Sequence, residues 1–121
     1  MTKKIFLMCL IGLMCATSSY AGCDGGIAVA GFCKSNVKMN WWSAAAWCKG
    51  NAMQLATIYE MCPSWDGVYM GTCLELNQKG EGYVWTSTAF QHDCAFMVRL
   101  SDGLVAKDDR DSSEHGYAFC K

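Results

Sequence analysis

Nine cysteines are the most reactive side chains in this 121-residue sequence. Cys9 and Cys15 lie in an apolar N-terminal stretch, and seven more follow it within a hundred residues. Such a density indicates a disulfide framework, because a small core gains much of its stability from cross-links. Zinc is the competing interpretation, but no C-x-x-C pair is present and only two histidines could join a site. The absence of that pair also argues against a thiol–disulfide oxidoreductase.

The tripeptide His92-Asp93-Cys94 contains the residue types of a thiol nucleophile and its base. Neighbours in sequence seldom have the geometry of such a pair, and a cysteine in an oxidising compartment is more often bridged. We therefore expect no catalytic site. The sequence also contains no nucleotide, haem or flavin motif, so no cofactor is predicted.

The one charged run, 107–115, contains four acidic residues within seven positions. Its functional interpretation is a hydrated cation site or a contact loop, whereas its structural interpretation is a solvated connection between two strands. We favour contact with a ligand over calcium binding. The contact candidates in this run are Asp108, Asp109, Arg110 and Asp111.

A second contact candidate is the segment 90–93, which places an aromatic ring beside an amide, an imidazole and a carboxylate. Apolar area next to directional hydrogen-bonding groups is typical of recognition surfaces. The alternative is a polar turn with one packed aromatic ring. The candidates are Phe90, Gln91, His92 and Asp93.

Residues 1–21 are predicted to be a signal peptide. Lys3 and Lys4 precede an apolar run of twelve residues, and Ser19 and Ala21 occupy positions −3 and −1 of a cleavage site. A membrane anchor is disfavoured, because a bilayer span needs about 20 apolar residues. The short basic start resembles that of bacterial signal peptides, which predicts a periplasmic or extracellular protein.

Removal of that segment leaves eight basic and eleven acidic residues, a formal charge of −3. A chain without a basic field is not expected to bind nucleic acid.

The odd number of cysteines has two explanations. The sequence Tyr20-Ala21-Gly22-Cys23 resembles a bacterial lipobox, although leucine normally stands in place of Tyr20, and acylation of Cys23 would tether the protein to a membrane. Otherwise Cys23 is bridged and a different cysteine, with Cys94 the first choice, is unpaired.

Two helices are predicted from their caps and spacing. Asn40 caps a helix over 41–49, and Gly50 suits the left-handed residue after its end. A capping box beginning at Thr57 starts a short second helix, which Pro63 ends. The face of the first helix that points to the core comprises Trp41, Ala44, Ala45 and Cys48.

The second half of the chain has the pattern of strands and turns. Alternating residues over 84–88 and 94–100 predict two strands. The turn Ser101-Asp102-Gly103 predicts a hairpin to a strand over 104–107, and 116–120 is one more strand. Helices followed by an antiparallel sheet indicate a single α+β domain over residues 22–121.

These elements carry five sequence pieces: the helix WWSAAAWC, the segment NAMQLATIYEMC, the strand YVWTST, the hairpin CAFMVRLSDGLV and the terminal YAFC. In this order and spacing they resemble the C-type-lectin-like domain. The resemblance covers about residues 23–120 and is greatest to bacterial exported members of the family. It implies a compact, disulfide-stapled α+β fold with two short helices and a small antiparallel sheet.

The resemblance also implies a disulfide pairing. In the family a cysteine of the first helix bonds one in the last strand, which corresponds to Cys48 and Cys120. Longer members close an N-terminal hairpin with two cysteines about ten residues apart, which corresponds to Cys23 and Cys33 and favours bridging over acylation. The pair that then remains is Cys62–Cys73, with Cys94 unpaired. The alternative pairs Cys73 with Cys94 and leaves Cys62 free.

The family motifs for calcium-dependent sugar binding are absent. That activity uses Glu-Pro-Asn or Gln-Pro-Asp in the long loop and Trp-Asn-Asp before a late cysteine. The single proline, Pro63, is followed by Ser64 and Trp65, and no Trp-Asn-Asp occurs. We therefore expect no metal site. The predicted function is that of a calcium-independent module, which binds a protein or cell-surface partner through residues 90–93 and 107–114. A lectin with a non-standard glycan site and a thiol-active or structural envelope protein are the alternatives.

The tryptophans have a structural and a functional interpretation. Helical and strand spacing predicts that most of Trp41, Trp42, Trp47 and Trp85 belong to the core. Trp65 differs, because it lies in a loop between two cysteines. It either stacks on a ligand or covers the disulfide of that loop, and it completes the set of contact candidates.

Overall fold

The computed structural model describes residues 23–112 and 115–121, so the predicted signal peptide over 1–21 and the charged residue Glu114 lie outside the described residues. The described chain is α+β, as the sequence predicts. Its elements are β1 (Gly26–Val29), β2 (Phe32–Met39), α1 (Trp41–Gly50), α2 (Ile58–Met61), a 3-10 turn (Leu74–Leu76), β3 (Tyr83–Phe90), β4 (Cys94–Arg99), β5 (Val105–Asp109) and β6 (Gly116–Cys120). None of the described helices is long and apolar enough to cross a membrane.

The strands form one mixed sheet in the order β1-β2-β6-β3-β4-β5. Strands β3 and β6 run parallel, whereas the other neighbours are antiparallel. The prediction of an antiparallel sheet that follows the helices is therefore wrong. A two-residue turn at Ala30-Gly31, where both residues have positive φ, returns β1 onto β2 before the first helix. Because β2 pairs with β6, the N-terminal hairpin joins the sheet through the last strand.

Helix α1 begins where the sequence predicts and ends later. The side chain of Asn40 accepts a hydrogen bond from the backbone N–H of Ser43, which confirms the N-cap. The predicted end is wrong, because the helix includes Gly50 and the left-handed residue is Ala52, with φ of 62°. The cap residue, Asn51, donates its backbone N–H to the last carbonyls of the helix, which therefore extends one residue further than predicted.

Helix α2 starts with the predicted capping box. Thr57 Oγ1 accepts from the Glu60 N–H at 3.0 Å, and the Thr57 N–H donates to Glu60 Oε1 at 2.8 Å. The Ile58 N–H also donates to Thr88 Oγ1 at 2.9 Å, which ties the start of the helix to β3. This attachment buries Ile58 and turns Tyr59 outward.

The central strands are covered on both faces. Val84 and Val98 belong to a core cluster with α2 and the loop after it. Trp85 and Met97, their neighbours along the strands, belong to a second cluster that includes residues of α1. The two helices therefore shield opposite sides of β3 and β4, and burial does not alternate along these strands.

Three disulfides cross-link the described chain: Cys23–Cys33, Cys48–Cys120 and Cys62–Cys73. They are the pairs that the resemblance implies. The first closes the β1–β2 hairpin, the second joins α1 to β6, and the third closes the loop after α2. Cys94 has no disulfide partner in the described part of the chain. With Cys23 bridged, its sulfur is not free for the acylation that a lipobox would require.

Candidate functional site

Five aromatic rings from four segments form a continuous row. They are, in order, Tyr59, Trp65, Phe96, Phe90 and Tyr69, with consecutive ring centroids 5.5, 5.2, 5.0 and 5.2 Å apart. Tilted and edge-on rings at this spacing attract each other. Trp65 is buried, at 6% exposed, and Phe96 and Phe90 are half-buried, whereas Tyr59 and Tyr69 at the ends of the row are 57% and 40% exposed. The row therefore connects the core with two exposed aromatic side chains.

The loop over 63–72 carries Tyr69, one of the two exposed ends of this row. Its ends are joined by the Cys62–Cys73 disulfide. Inside the loop, Trp65 Nε1 donates to the carbonyl of Val68 at 3.0 Å, and Asp66 Oδ1 accepts the Val68 N–H at 3.0 Å. The Met70 N–H donates to the carbonyl of Val105 at 2.9 Å and anchors the loop to β5. The disulfide, the hydrogen bond of the Trp65 indole and the hydrogen bond to β5 together hold the loop in one conformation.

We define the aromatic patch as Tyr59, Val68, Tyr69, Met70 and Phe90. Val68 and Met70 are 55% and 53% exposed, so with Tyr69 three consecutive apolar residues face solvent. Phe90 is half-buried and packs against Tyr69. Tyr59 belongs to the same surface, because its hydroxyl lies beside Gly67 of the loop. Exposed apolar surface of this kind marks interaction sites, and tyrosine and methionine are enriched in them.

The aromatic patch contains only one residue named in the sequence analysis, Phe90. The signal that could have found the rest is the run Val68-Tyr69-Met70, which is apolar inside a disulfide-closed loop. Such a run has to be exposed where a loop of that length has no core of its own. Tyr59 carries no comparable signal, because only the direction of α2 turns it outward.

Of the two interpretations left open for Trp65, the exposed ligand contact is wrong. The indole is 6% exposed and lies between Tyr59 and Phe96 in the row. Its only polar atom is hydrogen-bonded inside the loop, to Val68. Trp65 therefore covers the inside of the loop, as the alternative interpretation holds, and supports the patch from beneath.

A second cluster forms where the β5–β6 connection meets the start of α1. We define the Arg110 clamp as Trp41, Trp42, His92, Arg110 and Asp111. The Arg110 guanidinium carbon lies 5.0 Å from the ring centroid of Trp41 and 5.4 Å from that of Trp42, over both indoles. Arg110 Nη2 donates to the His92 carbonyl at 3.0 Å, and Trp42 Nε1 donates to Asp111 Oδ1 at 3.1 Å.

Backbone hydrogen bonds complete the clamp. The Trp41 N–H donates to the carbonyl of Arg110 at 3.1 Å, and the Arg110 N–H donates to the carbonyl of Asp93 at 2.8 Å. One arginine thus joins the start of α1, the β3–β4 turn and the end of β5. Trp42 remains 54% exposed, so it is an exception to the core placement expected for the helix tryptophans.

The structure brings the two predicted contact segments together. Strand register pairs Phe90 with Cys94 and Cys94 with Asp109, so segment 90–93 and the start of the charged run are neighbours. Gln91, His92, Asp93, Asp109 and Asp111 are exposed, and Asp108 and Arg110 are half-buried. Gln91 adopts a positive φ of 58°, which makes the tight β3–β4 turn. This turn links the aromatic patch, through Phe90, to the Arg110 clamp, through His92.

Asp108 is occupied by contacts within the chain. Its carboxylate pairs with His115 Nδ1 and also accepts from the Ser112 hydroxyl and the Asp109 N–H. Partial burial raises the pKa of Asp108, but these hydrogen bonds together outweigh burial and hold its pKa below the ordinary value of 3.8. Asp108 therefore stabilises the connection before β6.

Cys94 begins β4 and is half-buried. No hydrogen bond joins its sulfur to His92 among the described residues, and the His92 backbone carbonyl accepts a hydrogen bond from Arg110 instead.

The described chain also has no group of three or more histidine, cysteine or acidic side chains arranged to hold a metal ion. Comparison with family models, curated proteins and solved structures finds no match for this chain.

Proposed function

We propose that this protein is an exported, calcium-independent recognition module with a C-type-lectin-like fold, which binds a protein at a cell surface through the aromatic patch. The observation that carries the proposal is the exposed run Val68-Tyr69-Met70 in a loop closed by a disulfide. A rigid loop loses little conformational entropy on binding, so its apolar surface contributes fully to affinity.

The surroundings of the patch have the composition of an interface. Its apolar centre adjoins a polar border at the β3–β4 turn, formed by Gln91, His92 and Asp93. Lys107 Nζ lies 5.7 Å from the ring centroid of Phe90 and supplies a cation at the same border. An apolar centre with a polar rim is the usual anatomy of protein–protein interfaces.

Export and the family fold are supported by different features. Three disulfides in a chain of this size are typical of proteins that mature in an oxidising compartment. The Cys48–Cys120 bridge joins the first helix to the last strand, which is the pairing that the C-type-lectin-like resemblance implies. The N-terminal segment has the pattern of a signal peptide.

The proposal is tested by retention of cell-surface proteins on the immobilised module, with and without chelator. The patch variant replaces Val68, Tyr69 and Met70 by serine, and the control variant is Val37→Ser, since Val37 is 61% exposed on β2. We expect saturable binding of one partner that chelator does not weaken, that the patch variant loses at least tenfold and that the control keeps. Binding that disappears with chelator, or that both variants lose equally, would contradict the proposal.

A further inference from the structure

Met70 is the most exposed methionine of the described chain. The described residues contain five methionines, of which Met70 is 53% exposed. Met61 and Met97 are 1% and 3% exposed, and Met39 and Met53 are half-buried. A peroxide oxidises a thioether only where it reaches the sulfur, so exposure determines the order in which the methionines react. Met70 is therefore expected to react first.

The backbone of Met70 has an uncommon conformation that the fold enforces. Its φ is 72°, in the left-handed region that residues other than glycine seldom adopt. The Met70 N–H donates to the Val105 carbonyl at 2.9 Å, and the Val105 N–H donates to the Gly71 carbonyl at 2.9 Å. These bonds fix the main chain beside the thioether, inside the loop that the Cys62–Cys73 disulfide closes. Residues held in this region are concentrated at functional and switch sites.

The side chain of Met70 belongs to the surface that the proposed interface buries. It follows Val68 and Tyr69, which are 55% and 40% exposed, and the three form one exposed apolar run. The Gly71 N–H donates to the Val68 carbonyl at 2.9 Å, which folds this run into a turn. A polar group at position 70 would be buried with the run on binding, and burial without a hydrogen-bond partner is unfavourable.

Oxidation makes such a polar group from the thioether itself. Hydrogen peroxide transfers one oxygen atom to the sulfur: the O–O bond breaks and an S–O bond forms. The proton on the transferred oxygen passes to the departing hydroxide, which leaves as water. The sulfur loses two electrons and the peroxide gains them, so the reaction needs no other reactant. The product, methionine sulfoxide, is polar, and methionine sulfoxide reductases convert it back to the thioether.

We propose that Met70 is an oxidation site at which a peroxide makes the aromatic patch polar and weakens its binding to apolar surfaces. The site itself rests on the exposure and the fixed backbone of Met70. Its consequence for a protein partner rests on the function proposed above. The other four methionines of the described chain are buried or half-buried and lie outside the patch, so peroxide acts on this surface first.

The chemical part is tested by treating the folded chain with increasing amounts of hydrogen peroxide, followed by digestion and mass spectrometry. We expect the peptide that contains Met70 to gain one oxygen atom before the peptides that contain the other described methionines. Hydrophobic-interaction chromatography then measures binding to an apolar surface without any protein partner. The oxidised chain is expected to elute earlier than the untreated chain.

Three variants assign this change to one sulfur. Met70→Leu has no sulfur in the patch, so it is expected to elute at the same position before and after peroxide. Met53→Leu is the matched control, because it removes a half-buried methionine outside the patch. Cys94→Ala removes the one cysteine that has no disulfide in the described chain. Both controls are expected to shift on oxidation as the unmodified chain does.

Binding to a retained cell-surface protein tests the consequence. Each protein is compared with its own untreated sample, so the affinity of the variant itself does not enter. We expect peroxide to weaken binding by about tenfold in the unmodified chain and in both controls, because the sulfoxide is buried without a partner. The affinity of Met70→Leu is expected to be the same before and after treatment.

Three results would overturn the proposal. Another described methionine gains oxygen first, the oxidised and untreated chains elute together, or peroxide weakens the binding of Met70→Leu as much as that of the unmodified chain. If the untreated module retains no protein at all, the proposed function fails instead. The digest and the column then still decide whether Met70 is the oxidation site that changes this surface.

Discussion

The aromatic patch and the Arg110 clamp lie on either side of the β3–β4 turn, and they are held by different forces. The patch depends on a disulfide-closed loop and on five packed rings, of which Trp65 is buried. The clamp depends on one cation that lies over two indoles and on hydrogen bonds to segments that are distant in sequence. Neighbouring surfaces of a small domain can therefore be built by covalent closure in one place and by electrostatics in the other.

Because of this difference, the two regions are expected to lose their structure under different conditions. Covalent and apolar contacts respond little to salt or pH, so the patch is expected to keep its shape until the loop is opened. Charge-dependent contacts can be removed one side chain at a time, so the clamp is expected to loosen while the core persists. Substitutions at each region distinguish these two modes.

The largest expected effect removes the support that both regions share. Cys48 and Cys120 close a loop of 72 residues, and replacing both by alanine is expected to lower the free energy of unfolding by about 4 kcal/mol. Both regions should then unfold at the same urea concentration, since α1 and β6 belong to one core cluster. Urea unfolding monitored by tryptophan fluorescence measures this, and a loss below about 1 kcal/mol would show that packing alone holds the ends together.

Opening the loop sharpens the comparison. Replacing Cys62 and Cys73 by alanine removes a closure of 11 residues, with an expected loss of about 3 kcal/mol. We expect the loop 63–72 to become the first site of proteolysis, while the indole N–H signal of Trp42 keeps its position. If the NMR signal of Trp42 shifts as much as that of Tyr69, the aromatic patch and the Arg110 clamp are not independent.

Removing the clamp has a smaller effect. Arg110→Ala deletes two cation–π contacts and the hydrogen bond to His92, with an expected loss of about 1–2 kcal/mol in the free energy of unfolding. Arg110→Lys is the matched control, since it keeps the charge but lacks the planar group that stacks on the rings. We expect the lysine variant to recover less than half of the loss. Full recovery would show that charge alone, without stacking, holds the clamp.

The smallest effect is a dependence on pH at Asp108. Its folded-state pKa lies below the ordinary value of 3.8, so its stabilisation is complete above that value and is lost as pH falls through the folded-state pKa. Asp108→Asn is therefore expected to lower stability by less than about 1 kcal/mol near neutral pH, because the group is partly exposed. The difference between the two proteins should shrink below about pH 4. A difference that grows on acidification would mean that the sign of the pKa shift is wrong.

Local sequence features predicted the helix starts and the last hairpin. Asn40 and Thr57 cap the helices because their side chains reach backbone N–H groups only three residues away. The hairpin at Asp102-Gly103 forms because Gly103 takes a φ of 77°, and the Asp102 carboxylate binds Arg99 and the Leu104 N–H. These features depend on contacts within a few residues, which a sequence displays directly.

The candidate site was less predictable. Segment 90–93 and the charged run were predicted to be contact regions from their residue types, but Trp65 was left between contact with a ligand and cover for its loop, and Tyr59 was not considered. Whether an aromatic residue is buried depends on which segments pack over it, and here Phe96 of β4 covers Trp65. No pattern within the loop itself contains that information.

The sequence by itself determined the starts of both helices, the last hairpin and a density of cysteines that requires cross-linking. Only the tertiary structure decided that β3 and β6 run parallel, that β3 is buried on both faces over 84–86, and that Arg110 lies over two indoles from α1. The physical reason is the separation along the sequence of the residues that contact each other. Caps and turns are hydrogen-bonded over three or four residues, whereas the sheet order, the aromatic row and the clamp join segments separated by tens of residues and form only when the core packs as a whole.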